Sequence, residues 1–347
     1  MPSTLANDLF TQNRIVESGS NRYALPQAQL QALRTAAIGP MPRLAGLDAG
    51  NPFIWFDSAA HRLAGLYRCA PFAENFTAQI RNIALALDNW VTRSTDACLA
   101  AAMQLPLKPY TAARALQTAT VLAALRPLVP RDDQQHQTLL CAALSMNVAI
   151  WAFQDALGSQ SVPLSSGQQR ELHLHPLLSS AWLSEMGVDD DDWHALVQQQ
   201  HERPDGTGYP FHLRGNEVEP LAHQLQLVDE VMAKLSPRGA RRAMSTDHVL
   251  RELFFQCDDP DDARLNAALI KTLGFYPPGM FVRLANRQLA IVVRRSEHIS
   301  HPYVAWLDRD GSFTERSCLE PGYEVAEVAE LRARDDRFTD LARAWGY

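Results

Sequence analysis

The stretch Gln198-Gln199-Gln200-His201-Glu202-Arg203-Pro204-Asp205-Gly206-Thr207-Gly208-Tyr209-Pro210 decides how the rest of this 347-residue chain is interpreted. Residues 190–200, which overlap the start of this stretch, have the composition of a short helix. Its two glycines allow the positive φ that a tight reversal needs, and the final proline fixes φ on the far side. The pattern therefore predicts a rigid loop directly behind a histidine.

This stretch resembles the signature of the HD-GYP proteins, a branch of the HD phosphohydrolase superfamily. That signature has the form His-His-Glu, two residues, Asp-Gly, one residue, Gly-Tyr-Pro, and its first histidine is Gln200 here. Further matches are Leu164-Ser165-Ser166-Gly167-Gln168 followed by His175-Pro176, and Asp229 within 227–231. The resemblance covers roughly residues 105–260.

The resemblance implies a mainly α fold, an all-helical HD-GYP-type bundle that holds two or three iron or manganese ions and hydrolyses cyclic di-GMP. Imidazoles and carboxylates bind such metals, and a metal-bound water becomes a nucleophile near neutral pH. Two divalent ions ~3.5–4 Å apart repel by roughly 18 kcal/mol at an effective dielectric of about 20. A bridging carboxylate is needed to offset this repulsion.

Several ligand positions that the resemblance implies carry other residues. The retained metal positions are His175, His201 and Asp229. The degenerate positions are Arg114 for the leading histidine, Met146 and Asn147 for the His-Asp pair, Ile150 for the lysine that follows, and Gln200 for the first histidine of the signature. The bridging carboxylate is therefore missing, and we expect no cofactor.

Two interpretations of the remnant stay open. Two imidazoles and a carboxylate suit a single iron or manganese ion, with Asn147 or Gln200 as a weak neutral ligand. Alternatively, the histidines are hydrogen-bonded interior residues, and Asp229 pairs with Arg114 or another cationic side chain. A guanidinium then supplies permanent positive charge where a metal ion sits in the family.

The signature loop has an additional implied role, because the family's loop is associated with contacts to other signalling proteins such as diguanylate cyclases. Its residues are Glu202, Asp205, Gly206, Gly208, Tyr209 and Pro210. The chain is therefore expected to bind a partner protein or cyclic di-GMP in bacterial signalling, without catalysis. The alternatives are an active metal-dependent phosphodiesterase with a reduced ligand set, and a structural interaction module. We expect Glu202, Asp205 and Arg203 to fix the loop through hydrogen bonds.

Three regions are predicted: 1–95, partly helical; 96–274, the HD-GYP-like helical domain; and 275–347, a small β-rich domain that ends in a helix. Apolar spacing and turn signals predict helices over 27–37, 73–91, 111–128, 134–157, 166–186, 190–200, 220–236, 246–256, 261–273 and 338–345. Short β-branched runs predict antiparallel strands over 280–284, 289–294 and 303–307. The aromatic group 53–56 favours strand or core packing.

Composition excludes several classes of function. The net charge of −7 and the pI of about 5.9 leave no general basic surface for a DNA backbone. Five scattered cysteines without a Cys-x-x-Cys pair argue against a disulfide framework or a structural zinc site. The longest apolar-rich run, 139–153, is too short to span a bilayer, so we expect a cytoplasmic protein.

Overall fold

The computed structural model describes residues 14–17, 22–36, 50–106, 109–157, 160, 162–236, 243–255, 260–329 and 340–347. The protein is mainly helical, with a small antiparallel sheet near its C-terminus. The predicted fold class is therefore confirmed.

A short N-terminal hairpin precedes the helices. It consists of β1 (Val16–Glu17) and β2 (Tyr23–Ala24) and leads into α1 (Gln27–Ala36). The body then contains α2 (Pro52–Cys69), α3 (Phe76–Arg93), α4 (Thr95–Gln104), α5 (Tyr110–Leu125), α6 (Asp133–Ala143), α7 (Trp151–Leu157), α8 (Ser166–Glu185), α9 (Asp191–Gln199), α10 (Pro220–Leu235), α11 (Thr246–Phe255) and α12 (Pro260–Leu273). The hairpin was not predicted, whereas most of the predicted helices are present within a few residues of their expected bounds.

Local sequence signals explain where the central helices start. At α8, the Ser165 side chain accepts a hydrogen bond from the Gln168 N–H. The Gln168 side chain in turn accepts one from the Ser165 N–H, which completes a capping box. At α9, Asp190 accepts from the Trp193 N–H. These caps fix the two helices that carry the signature stretch and the His-Pro pair.

The prediction of one continuous helix over 134–157 is wrong. The helix ends at Ala143, residues 144–147 form turns, and a 3₁₀ turn (Val148–Ile150) leads into α7. Ser145 contributes to the change in direction, because its hydroxyl donates to the Cys141 carbonyl four residues back. The break falls on Met146 and Asn147, two of the degenerate positions.

The expectation of a strand over 53–56 is also wrong, because these residues lie in the first turns of α2. Asn51 caps this helix by accepting from the Ile54 N–H, and Pro52 occupies its first position. Phe53, Trp55 and Phe56 are fully buried, which confirms the core-packing half of the expectation.

The sheet has five strands in the order β6-β5-β4-β3-β7, all antiparallel. The three predicted strands are β3 (Phe281–Leu284), β4 (Leu289–Arg294) and β5 (Tyr303–Leu307), whereas β6 (Phe313–Ser317) and β7 (Val325–Val328) were missed. The predicted terminal helix is a 3₁₀ helix (Asp340–Trp345), and residues 338–339 lie outside the described residues. Its Trp345 packs on Phe53 of α2 with ring centroids 5.2 Å apart and donates to the Val293 carbonyl of β4 at 2.6 Å, so this residue joins the sheet to the helical body.

One apolar cluster fills the helical body, from Phe53 on α2 to Leu273 on α12. Residues before position 95 and after it contribute to the same cluster. Among the described residues, one helical stretch, Asp133–Leu157, is apolar and long enough to cross a membrane by length and composition. Its window is 61% buried inside the protein, as expected of a core segment.

Candidate functional site

An ion pair between α5 and α10 lies at the centre of the predicted site. Arg114 Nη2 donates to Asp229 Oδ1 and to the Asp229 carbonyl oxygen, each at 2.8 Å. The Thr118 hydroxyl donates to the same carboxylate oxygen at 3.2 Å. The two side chains are only 6% and 17% exposed. The pairing of Asp229 with Arg114 that one interpretation of the sequence expected is therefore confirmed.

His175 has a fixed tautomer, and the reason is the proline that follows it. Pro176 has no N–H, so the Leu172 carbonyl four residues earlier lacks its helical donor. His175 Nδ1 donates to that carbonyl at 2.5 Å, which leaves Nε2 as an acceptor. Nε2 is buried and has no hydrogen-bond partner among the described residues. Burial, followed by the neighbouring His201, lowers the pKa of His175 to about 3.

Gln200 and His201 directly follow the end of α9 and lie close to His175. The rings of His175 and His201 meet edge to face with centroids 5.0 Å apart, and burial lowers the pKa of His201 to about 4. Gln200 Nε2 donates to the carbonyls of Met146 and Val197, both at 3.0 Å. Because both partners are carbonyls, the amide orientation is fixed, and Gln200 Oε1 remains a buried acceptor without a partner in the described structure.

The remaining degenerate positions contribute apolar or neutral groups. Met146 and Ile150 are buried members of the core. Asn147 begins the 3₁₀ turn, and its Oδ1 is buried without a partner among the described residues. The positions that the resemblance assigns to a histidine and a lysine thus carry apolar side chains, and the position that it assigns to the bridging aspartate carries a neutral amide.

These residues do not fit a two-metal centre. Within the described ranges, no group of three or more His, Cys, Asp or Glu side chains is placed to hold a metal ion. The one carboxylate of the remnant is bound by a guanidinium. A divalent ion about 4 Å from that guanidinium is repelled by roughly 8 kcal/mol at an effective dielectric of about 20. Among the described residues of the remnant, Asp229 is the one anion that could offset this repulsion, and its charge is already paired with Arg114.

The signature loop is held by a buried carboxylate. Glu202 is fully buried, and its oxygens accept from the backbone N–H groups of Phe211 at 2.5 Å and Leu213 at 3.0 Å. Asp205 accepts from both the N–H and the hydroxyl of Thr207. Arg203 pairs with Glu230 on α10. The three side chains that we expected to fix the loop each make such a contact.

Two positions of the loop require glycine, each for a different physical reason. Gly206 has a φ of +79°, which favours glycine. Gly208 lies so close to the preceding turn that a Cβ would be 2.3 Å from the Arg203 nitrogen and 2.5 Å from the Glu202 Cα. Only a residue without a side chain fits there, and the cis Tyr209–Pro210 bond follows it directly.

Tyr209 closes the site in a stack of rings that sequence reasoning missed. Its ring stacks on His201 with centroids 4.8 Å apart and on His173 with centroids 4.5 Å apart. His173 is exposed, and its spacing in the sequence indicates no partner. The signal that could have found it is its place two residues before His175, near the start of α8. Tyr209 is half-buried, so the exposed part of the loop consists of other residues, including Asp205, Thr207, His212 and Arg214.

The chain is similar to known proteins in sequence and in fold. Residues 98–261 match the family model described as HD domain. The chain is 23% identical over 338 residues to the cyclic di-GMP phosphodiesterase PA4108 of Pseudomonas aeruginosa. This match covers 90% of the chain and 79% of that protein. Among solved structures, it resembles Bd1817, an HDG"Y"P protein from Bdellovibrio bacteriovorus, with a TM-score of 0.50 and 16% identity over 71% of this chain and 80% of the other. Residues 98–261 therefore match an HD domain, and the chain is similar to a cyclic di-GMP phosphodiesterase in sequence and to an HD-GYP protein in fold.

Proposed function

We propose that this chain is a catalytically inactive HD-GYP protein that acts in bacterial cyclic di-GMP signalling by binding a partner protein. The observation that carries the proposal is the buried Arg114–Asp229 ion pair, which puts a permanent cation beside the one carboxylate of the remnant. Hydrolysis of a phosphodiester in this family requires a metal-activated water. A site whose anion is already neutralised by a guanidinium is poorly suited to hold the metal.

The intact loop supports binding as the retained activity. Glu202, Gly208 and Tyr209 all make the contacts described above, although the ligand set beneath them is changed. Because Tyr209 is sandwiched between two histidines, we assign partner contact to the exposed rim of the loop. This rim comprises Asp205, Thr207, His212 and Arg214. A diguanylate cyclase is the partner class that the family resemblance suggests, and the four described cysteines are free thiols, which suits a cytoplasmic location.

The decisive experiment measures metal and turnover together. Purified full-length protein is analysed for bound iron and manganese, and cyclic di-GMP hydrolysis is followed after either metal is added. We expect substoichiometric metal and no product. Stoichiometric metal with clear turnover would refute the proposal and favour a phosphodiesterase with a reduced ligand set.

A second experiment tests the rim. His212 has a φ of +59°, which Asp tolerates, so His212→Asp changes the charge of the rim with little strain. We expect this variant to bind a diguanylate cyclase at least tenfold more weakly than the wild type, measured by surface plasmon resonance (~1.4 kcal/mol). His61→Asp is the matched control, because His61 is an exposed histidine on α2. Equal losses in both variants, or none in either, would exclude the rim as the contact.

A further inference from the structure

An N-terminal segment grips the helix that carries His173 and His175. This segment, the N-terminal strap, comprises residues 14–17 and 22–36, which include β1, β2 and α1. Its Arg14 forms a two-bond pair with Glu171 near the start of α8, at 2.8 and 3.1 Å. Its Leu25 N–H donates to Glu185 at the end of the same helix, at 3.1 Å. The strap therefore contacts α8 along most of its length.

The strap also reaches α9, the helix that ends at the signature stretch. Arg22 donates to Asp189 at 2.6 Å and to Asp191 at 2.7 Å, on either side of the helix cap. Both carboxylates are largely solvent-exposed, at 92% and 79%. Exposed pairs of this kind are weak and are screened by salt.

The apolar contact beneath the strap is a small cluster that meets the main core at the half-buried Trp182. It contains four buried strap residues and four buried α8 residues: Ile15, Tyr23, Leu25 and Leu30 against Leu174, Leu177, Leu178 and Ala181. A small cluster bordered by exposed ion pairs opens at lower free energy than the main core of the domain. The strap can thus separate from α8 without global unfolding.

The same cluster touches the signature loop. Phe211 packs against it, and the Phe211 N–H is one of the two donors to Glu202. Two residues earlier, Tyr209 stacks on His173 of α8. The loop is therefore attached to the strap's cluster at Phe211 and to the strap's helix at Tyr209.

We propose that the N-terminal strap is a regulatory clamp: its release from α8 loosens the signature loop, so that an input acting on the strap changes what the loop binds. The coupling itself does not depend on the identity of the partner. Failure of the coupling and failure of the proposed binding function are therefore separate results.

Hydrogen–deuterium exchange on the full chain tests the coupling. Arg22→Glu sets a negative charge against Asp189 and Asp191, and Arg251→Glu on α11 is the control, because Arg251 pairs with Asp247 away from the strap. In Arg22→Glu we expect peptides over residues 23–30 and 201–213 to exchange about tenfold faster, with α5 unchanged. Faster exchange of the strap with an unchanged loop overturns the proposal, and so does simultaneous loss of protection in α5.

Phe211→Ala tests the coupling from the other side, because energetic coupling between two sites is reciprocal. We expect the strap peptides to exchange faster in this variant, again with α5 unchanged. A loosened loop with a strap that stays protected overturns the proposal, whatever Arg22→Glu does to the strap.

Discussion

The buried remnant and the signature loop meet at two adjacent residues, His201 and Glu202, yet they differ in what they keep. In the remnant, four positions that the resemblance assigns to metal ligands carry Arg, Met, Asn and Gln, and Asp229 pairs with Arg114. In the loop, the expected glutamate, aspartate, glycines, tyrosine and proline are all present and in contact. The difference teaches that the loop's shape depends on backbone packing and on Glu202, and does not require the family's ligand set.

The largest expected effect is on the remnant. Arg114→Ala leaves the Asp229 carboxylate half-desolvated without its partner, and we expect a loss of about 3 kcal/mol in the free energy of unfolding. The measurement is urea denaturation. The double variant Arg114→Met with Asp229→Leu removes both charges and should recover most of the loss.

Arg251→Ala provides the control for an exposed pair, because the Arg251–Asp247 pair lies at the surface. We expect this variant to lose under about 0.5 kcal/mol. If Arg114→Ala costs no more than this control, the Arg114–Asp229 pair does not support the structure, and the contrast between the two regions fails.

A smaller effect is expected in the loop. In Gly208→Ala, the new Cβ meets the backbone of Glu202 and Arg203, so we expect about 2 kcal/mol of destabilisation. Gly167→Ala is the matched control in the first turn of α8, where a Cβ meets only the Ser165 hydroxyl at 3.9 Å. This control should be neutral or stabilising. Equal melting temperatures for the two variants would mean that the loop accommodates the Cβ without a loss in the free energy of unfolding.

The smallest effect is a difference in pH dependence between the helical body and the signature loop. Burial lowers the pKa of His194 in the helical body below its ordinary 6.5, and hydrogen bonds from Thr207 lower the pKa of Asp205 in the loop below its ordinary 3.8. The unfolded chain therefore protonates His194, together with His175 and His201, before it protonates Asp205, and the folded protein loses stability as pH falls below 6.5. The Asp205 contribution is retained until pH falls below 3.8.

Melting temperatures measured between pH 7.5 and pH 5 test whether His194 contributes to the loss of stability in this range. His194→Gln should be less stable than the wild type at pH 7.5, because it disturbs the bonds to Ser180 and Val188. Its melting temperature should then fall less on acidification than that of the wild type. Parallel curves for the two proteins would exclude His194 as a source of the pH dependence.

Local patterns predicted most of the helices, but one failure shows their limit. The apolar run 139–150 contains no Pro or Gly, so nothing in its spacing indicates the break after Ala143. At the break, the Met146 carbonyl accepts from Gln200, which is 54 residues away. The break is thus accompanied by a contact with a distant residue, and periodicity carries no information about such contacts. His173 was missed for the same reason, because its partner Tyr209 lies on another element.

The sequence by itself determined the helical class and the position of the glycine loop, because residue identity and short-range spacing are sufficient for each. The tertiary structure alone decided which groups face one another. It brought Arg114 on α5 against Asp229 on α10, fixed Gln200 on the Met146 carbonyl, and laid the strap across α8 beside the loop. These contacts join residues far apart in the chain, and their geometry follows from how the helices pack.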